Sequence, residues 1–206
     1  MEEEEIDSSG RIIILASSSP RRKRILEQLM ADFIVIEPDG VDEKLFGNPY
    51  KTVKYNSNVK AKYIYNNVII KNSGYRSSVI AGFDTIVYLR GRFLGKPSGY
   101  DEAFEFIRML SGRVHNVITG VTVIDSLSGK IFTDSEATSV KMRRLGDDEI
   151  KSYLEAGDVY DKAGGYDISG FGSILIEQIK GCFYNVAGLP VFKFIKLLKN
   201  INYEIL

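Results

Sequence analysis

The first candidate for chemistry is a short basic cluster that follows a strand-like segment. Residues 12–16 read IIILA, and residues 17–22 read SSSPRR. Ser19 before a proline is typical of a helix N-terminus, where free backbone N–H groups and the positive end of the helix dipole attract anions. Arg21 and Arg22 add forked donors that suit phosphate oxygens. A solvated basic helix face would have the same composition, but the position directly after a strand favours phosphate binding.

The second candidate is an aspartate within an apolar segment. Residues 81–87 read AGFDTIV, which places Asp84 inside a predicted strand. A carboxylate in such a strand is costly unless it is paired, binds a metal or lines a cleft. The alternative is that Asp84 forms a turn or a cap beside the preceding glycine. The sequence around Asp84 leaves both interpretations open.

Other polar residues carry weaker signals. Lys96 precedes a proline and could reach a phosphate, although most lysines in that setting are simply exposed. Glu43 and Lys60, taken alone, are typical of surface residues. The only histidine, His115, has no second histidine with which to form a zinc site, so a structural role is favoured. The only cysteine, Cys182, has apolar neighbours that favour a small buried residue over a nucleophile. The residues alone therefore predict metal-assisted chemistry on an anionic ligand.

Composition limits the class of protein. The chain has 206 residues, with 27 basic and 27 acidic side chains, and this zero balance argues against a nucleic-acid binder. No apolar run approaches the ~20 residues that span a bilayer. The beginning, MEEEE, is unlike a targeting peptide, and a single cysteine favours a reducing compartment, so we expect a cytoplasmic protein. Residues 1–10 are expected to form an acidic, disordered tail, and residues 11–206 one domain.

Apolar periodicity predicts the elements that must position these residues. The predicted strands cover residues 12–16, 33–36, 78–89, 117–124, 131–142 and 174–179. The predicted helices begin after Ser19, run over residues 50–66, carry Ala103, Phe106, Ile107 and Leu110, follow a cap at Asp147, and carry Val191 to Leu198. A turn at residues 90–91 should return the chain to a short strand. Strands and helices in this order favour an α/β or α+β domain with a mixed sheet.

Six segments of the chain, taken together, resemble the Maf family of nucleotide pyrophosphatases. They are LASSSPRR at 15–22, GFDTIV at 82–87, GKP at 95–97, LSGRVH at 110–115, DKAGGY at 161–166 and VAGLP at 186–190. The resemblance covers residues 12–198 and keeps the family's order and spacing.

The resemblance has consequences for fold, activity and assembly. It implies an α/β fold in which a mixed sheet is flanked by helices, with two lobes around a nucleotide-binding cleft. It implies hydrolysis between the α- and β-phosphates of a nucleoside triphosphate, a divalent cation (Mg²⁺ or Mn²⁺) and a homodimer. It also implies roles for individual residues: Asp84 as the proton acceptor; Arg21, Thr85 and Ser169 in nucleobase preference; Ser17, Arg22, Lys60 and Lys96 as further substrate contacts; and Glu43 with Asp84 as metal ligands.

One segment departs from the family pattern. Thr85 after the aspartate resembles the branch that acts on dTTP and UTP, which usually has the sequence YGIQG where this chain reads YDISG at residues 166–170. Ser169 cannot offer the paired amide donor and acceptor that reads a base edge. The predicted substrates are therefore dTTP and UTP or modified nucleotides.

Two other functions compete with this prediction. One is a nucleotide-binding regulator linked to cell division, and the other is a phosphatase that removes only the terminal phosphate. Asp84 favours an enzyme over a pure binder, because a binder needs the cations but not the carboxylate.

Overall fold

A computed structural model of the chain describes residues 11–71, 73–75, 77–157 and 159–205. The predicted acidic tail at residues 1–10 lies outside this part of the chain.

Within the described ranges, a seven-stranded mixed sheet forms the centre of the fold. Its strands are β1 (Ile12–Ala16), β2 (Phe33–Val35), β3 (Ser78–Leu89), β4 (Arg92–Leu94), β5 (Val114–Asp125), β6 (Ile131–Met142) and β7 (Ile176–Lys180). The strand order is β2-β1-β3-β5-β6-β7, with β4 beside β3. Strand β1 pairs in parallel with β2 and β3, and the other pairs are antiparallel. The predicted mixed α/β sheet is confirmed.

Helices cover both faces of the sheet. They are α1 (Pro20–Gln28), α2 (Pro49–Ile64), α3 (Tyr100–Leu110), α4 (Asp147–Ala156), α5 (Phe183–Val186) and α6 (Val191–Lys199). A π-helical turn, Tyr65–Ile69, continues α2. The prediction of Asp147 as a cap is wrong by one position: Gly146 is the N-cap, and its N–H donates to the Glu149 carboxylate at 2.9 Å.

Most element predictions agree with the structure to within a few residues. Strand β3 has the predicted bounds, and the turn after it has positive φ at Arg90 (45°) and Gly91 (88°), as a type I′ hairpin requires. The last strand begins later than predicted, because a 3₁₀ helix forms over Phe171–Leu175. Cys182 is half-buried rather than buried.

The edge of β3 creates the cleft. On the side away from β5, residues 78–82 pair with β1 and residues 87–89 pair with β4. Residues 83–86 thus have no strand beside them on that edge within the described chain. Different apolar cores lie on either side of this gap: Phe83 packs with α1 and α6, and Val87 packs with α3 and α4. The two predicted lobes are these two cores, joined by the long strands.

Two glycines allow α2 to lie directly on the face of the sheet opposite to the Phe83 and Val87 side chains. A Cβ atom at Gly82 would lie 2.4 Å from the carbonyl oxygen of Ser57, and one at Gly120 would lie 2.1 Å from that of Val53. Only glycine permits such close approach of helix and strand. The contact brings the polar side of α2 against the middle of β3.

Candidate active site

The cleft beside β3 has a volume of about 540 Å³, a size usual for small-molecule sites. All but one of the predicted site residues line it: Ser17, Arg21, Arg22, Glu43, Lys60, Asp84, Thr85 and Lys96. The remaining one, Ser169, is not among its lining residues.

Asp84 lies in β3 at the base of the cleft and is only 7% exposed. Its Oδ1 atom is 2.7 Å from the Lys60 ammonium, and its Oδ2 atom accepts a hydrogen bond of 3.1 Å from the Asn56 side chain. Both oxygens therefore have a partner, as a buried carboxylate requires. The alternative of a turn-forming or capping aspartate is wrong, because Asp84 is within the strand.

Lys60 joins two carboxylates that are far apart in sequence. Its Nζ atom lies 2.7 Å from Asp84 Oδ1 and 3.0 Å from Glu43 Oε1. The Lys60 side chain is mostly buried, whereas Glu43 is half exposed at the cleft. Helix α2 carries Lys60, and the loop after β2 carries Glu43. The interpretation as a surface residue is therefore wrong for Lys60, whereas Glu43 is an exposed residue that lines the cleft.

Arg22, in the first turn of α1, is buried and joins three segments of the chain. Its Nε donates to the Gly188 carbonyl at 2.8 Å, Nη1 to Ser17 Oγ at 2.8 Å, and Nη2 to Thr85 Oγ1 at 3.0 Å. Burial lowers the pKa of Arg22 to about 10, against the opposing effect of the Asp84 charge. The guanidinium thus stays protonated at neutral pH. Three of its five N–H donors are already used by the protein.

The Thr85 hydroxyl belongs to a directed hydrogen-bond chain. It lies 3.0 Å from Thr119 Oγ1, and the Thr119 hydroxyl donates to the carbonyl of Asn185 at 3.1 Å. Because Thr119 has one hydrogen and Arg22 donates to Thr85, the Thr85 hydroxyl must donate to Thr119. The Thr85 hydroxyl proton is therefore used in the bond to Thr119. Toward the cleft, the Thr85 oxygen can only accept a hydrogen bond.

Arg21 differs from Arg22 in making ionic contacts rather than hydrogen bonds with its side chain, as far as the described residues show. Its Nη1 atom lies 3.8 Å from a carboxylate oxygen of Asp161 and 4.0 Å from one of Asp167, so both contacts are ionic. That nitrogen is buried and makes no hydrogen bond within the described chain. A buried donor without an acceptor is unfavourable, and a ligand oxygen in the cleft would satisfy it. Lys96 is exposed at the cleft.

Ser169 does not line the cleft and bonds instead to a residue that does. It is exposed, and both its backbone N–H and its hydroxyl donate to Asp167 Oδ1, at 3.0 and 2.8 Å. Its connection to the cleft is indirect, through Asp167, whose side chain lines the cleft.

Sequence reasoning assigned no role to several residues of the cleft, namely Asn56, Asp161, Tyr166, Asp167 and Gly188. All except Asn56 lie in or next to the family-like motifs. For Asn56 the available signal was its spacing of four residues from Lys60, which places both on one helix face.

The structural role predicted for His115 is supported by its surroundings. It is 2% exposed, and its Nε2 atom lies 2.7 Å from the Tyr166 hydroxyl. Burial lowers the pKa of His115 to about 4, so the ring is neutral at physiological pH. It supports Tyr166, which forms part of the cleft wall.

None of the helices in the described ranges combines the length and the apolar character that a membrane-spanning helix needs.

Comparison with known proteins places this arrangement in a family. A family model described as Maf-like protein matches residues 12–201. A dTTP/UTP pyrophosphatase from Caldicellulosiruptor saccharolyticus is 38% identical over 196 residues, which cover 94% of this chain and 96% of the relative. Similar proteins with that name occur in Clostridium tetani (42% identity, 92% and 97% coverage) and in Thermococcus gammatolerans (38% identity, 95% and 99% coverage). The chain belongs to the Maf-like family.

Proposed function

We propose that the protein is a nucleoside triphosphate pyrophosphatase, which hydrolyses the bond between the α- and β-phosphates and releases a monophosphate and pyrophosphate. The observation that carries this proposal is the buried carboxylate of Asp84 at the base of a cleft lined by cationic side chains. The name shared by the relatives supports the same activity. It also supports dTTP and UTP as substrates, while the serine at position 169 leaves modified nucleotides as a further class.

In this reaction Asp84 accepts the proton of the attacking water. Lys60 and Asn56 hold the two carboxylate oxygens in place, so the base is already oriented when substrate binds. Arg21 and Lys96 place positive charge along the triphosphate, where the leaving pyrophosphate gains negative charge. Arg22 fixes Ser17 and Thr85 at the side of the cleft and adds its own charge.

We propose that a divalent cation, Mg²⁺ or Mn²⁺, binds at the carboxylates of Asp84 and Glu43. Asp84 and Glu43 present carboxylate oxygens to the same lysine. The described residues contain no group of three or more carboxylate, histidine or cysteine ligands, and Mg²⁺ sites commonly use one or two carboxylates together with substrate phosphates. Glu43 and Asp84 would hold the ion, which, when bound, supplies positive charge to the phosphate oxygens.

This assignment predicts that an excess of chelator abolishes turnover and that added Mg²⁺ or Mn²⁺ restores it. Turnover should be measured alongside circular dichroism, which should not change with chelator if the metal acts in the site rather than in folding. Full turnover with chelator present would contradict a metal-dependent reaction.

The direct test of the proposed function is product identification. Purified protein is incubated with metal and with a panel of nucleoside triphosphates labelled at the γ-phosphate. Label in pyrophosphate, with monophosphate as the other product, is expected. Label in orthophosphate would identify a terminal phosphatase, and nucleotide binding without turnover would identify a regulator; either outcome would overturn the proposal.

We further propose that Arg21, Thr85 and Ser169 set base preference, and that Ser169→Gln sharpens the preference for dTTP and UTP. A glutamine supplies the amide donor and acceptor that serine lacks, and an unmet hydrogen bond of that kind discriminates by roughly 1–3 kcal/mol. The measurement is kcat/KM across the nucleotide panel. Ser169→Ala, which removes only the hydroxyl bond to Asp167, is the matched control. An unchanged ranking in Ser169→Gln would show that this position does not read the base.

The remaining proposals concern assembly and location. A homodimer in the cytoplasm is proposed from the family resemblance and from the single cysteine. The balance of 27 basic and 27 acidic residues argues against nucleic acid as a partner. Light scattering of the purified protein would decide the oligomeric state.

A further inference from the structure

One buried amide connects the two carboxylates that face Lys60. Asn56 lies on α2 and is 3% exposed. Its Oδ1 atom accepts a hydrogen bond of 2.9 Å from the backbone N–H of Lys44, and its Nδ2 atom donates to Asp84 Oδ2 at 3.1 Å. Lys44 directly follows Glu43 in the chain. The same side chain thus contacts both the Glu43 loop and the candidate base.

The chemistry of these partners fixes the orientation of the Asn56 amide. A backbone N–H can only donate, so the amide oxygen must face Lys44. The NH₂ group must then face Asp84, where a carboxylate can accept. The reverse orientation would set two donors against each other at Lys44 and two acceptors against each other at Asp84. The asparagine amide, with an acceptor at one end and a donor at the other, meets both requirements at once.

A second side chain of α2 holds the same loop. The hydroxyl oxygen of Thr52 accepts a hydrogen bond of 2.9 Å from the Phe46 N–H. Thr52 is fully buried, and it lies one helical turn before Asn56. The loop is therefore attached to the helix at Lys44 and again at Phe46, so removal of the Asn56 contact should free the Glu43 end and leave the Phe46 end attached.

We propose that Asn56 is a positioning residue, which holds the Glu43 loop and the Asp84 side chain in one fixed relation so that both carboxylates face the same point of the cleft. This inference rests on the proposed function, in which those two carboxylates act together. Asn56 acts on the reaction indirectly: its contacts with the Lys44 N–H and with Asp84 orient the carboxylates of Glu43 and Asp84.

The test uses two substitutions that separate the two contacts. In Asn56→Asp a carboxylate oxygen can still accept from Lys44, but toward Asp84 the amide donor is replaced by a second carboxyl group, which repels Asp84 or shares a proton with it. In Asn56→Ala both contacts are lost. Asn58→Ala is the control, since Asn58 lies on the same helix and its side chain bonds instead to Thr133 on β6. Circular dichroism and thermal melting verify that each variant is folded.

The first measurement does not depend on catalysis. Amide hydrogen exchange, followed by NMR, should become faster at Lys44 in Asn56→Ala and stay close to the wild-type rate in Asn56→Asp. Exchange at Phe46 should change little in either variant, because Thr52 retains its contact. Equal exchange rates at Lys44 in the wild type, Asn56→Ala and Asn56→Asp would contradict the proposal that Asn56 anchors the Glu43 loop.

The second measurement separates kcat from KM. We expect kcat to fall roughly 10- to 100-fold in both variants, the size expected for loss of a hydrogen bond to a charged group. KM should change much less, because Arg21 and Lys96 are intact, and Asn58→Ala should match the wild type. Wild-type kcat in folded Asn56→Asp and Asn56→Ala would overturn the positioning role. Absence of turnover in the wild type itself would instead contradict the proposed function, and the exchange data would still decide the anchoring.

Discussion

Asp84→Asn is expected to lower turnover about 10²- to 10⁴-fold, the usual scale for loss of a general base. The substitution keeps the size of the side chain but removes its charge and its basic oxygen. Nucleotide affinity measured without metal should be kept or improved, because the cationic residues of the cleft remain and one repelling carboxylate is gone. The measurement pairs turnover with the affinity for a non-hydrolysable α,β-methylene triphosphate, on protein shown to be folded.

Asp84→Asn should also lower the free energy of unfolding modestly, because of the hydrogen-bond partners that surround Asp84. An amide at position 84 can offer its oxygen to Lys60 or to Asn56, but its NH₂ group then faces a donor at the other position. Because Lys44 fixes the Asn56 amide, this mismatch cannot be relieved by a flip. Thermal unfolding should therefore show a loss on the order of 1–3 kcal/mol. That loss is separable from turnover if assays are run well below the melting temperature.

Asp161→Asn provides the matched control for Asp84→Asn. Asp161 also lines the cleft, but it lies near Arg21 and is much more exposed. A much smaller loss of turnover is expected there. Near-normal turnover in folded Asp84→Asn, or equal losses in the two variants, would remove Asp84 from the role of proton acceptor.

The sequence predicts β3 and its aspartate well, because both are local features. A long apolar run with one carboxylate predicts the strand bounds and offers a cleft position as one of two interpretations of Asp84. Strand β1 and the start of α1 are predicted for the same reason: a β-branched run, followed by Ser19 and a proline, signals each boundary within a few residues.

The partners of Asp84 are not predictable from local pattern, since tertiary packing brings them together. Lys60 and Asn56 reach Asp84 because α2 lies almost in contact with the strand backbone at Gly82. A glycine in a strand indicates a bulge or a close approach, but the sequence does not say which helix approaches. Glu43 is still less predictable, as it lies in a loop whose attachment to α2 depends on buried side chains.

The different contacts of the neighbouring residues Arg21 and Arg22 are also not predictable from local sequence. Composition and spacing assign Arg21 and Arg22 the same charge and the same helix terminus. In the structure the two arginines make different contacts. Arg22 is bonded to three segments, one of them 166 residues away at Gly188. Arg21, among the described residues, has only long ionic contacts with Asp161 and Asp167.

Arg22→Ala should therefore lower both stability and nucleotide affinity, with slower turnover as a result. It leaves the Gly188 carbonyl and two hydroxyls without their charged donor in a buried region. Losing contacts of this kind costs roughly 1.5–3 kcal/mol each in isolation, and several lost together should give a destabilisation of about 3–5 kcal/mol. Thermal unfolding and binding of the α,β-methylene triphosphate are the measurements.

Arg21→Ala is the matched comparison, because it removes the same charge from the adjacent position in the same helical turn. Its Nη1 atom makes no hydrogen bond within the described part of the chain, so its loss should leave the melting temperature nearly unchanged. Nucleotide affinity should still fall, since a cation of the cleft has gone. Arg22→Lys should recover part of the affinity but little of the stability, because an ammonium cannot reproduce the guanidinium geometry toward Ser17, Thr85 and Gly188. Equal loss of stability in Arg21→Ala and Arg22→Ala would contradict this division: the Arg22 contacts would then not hold the cleft together, and both arginines would serve only as charges.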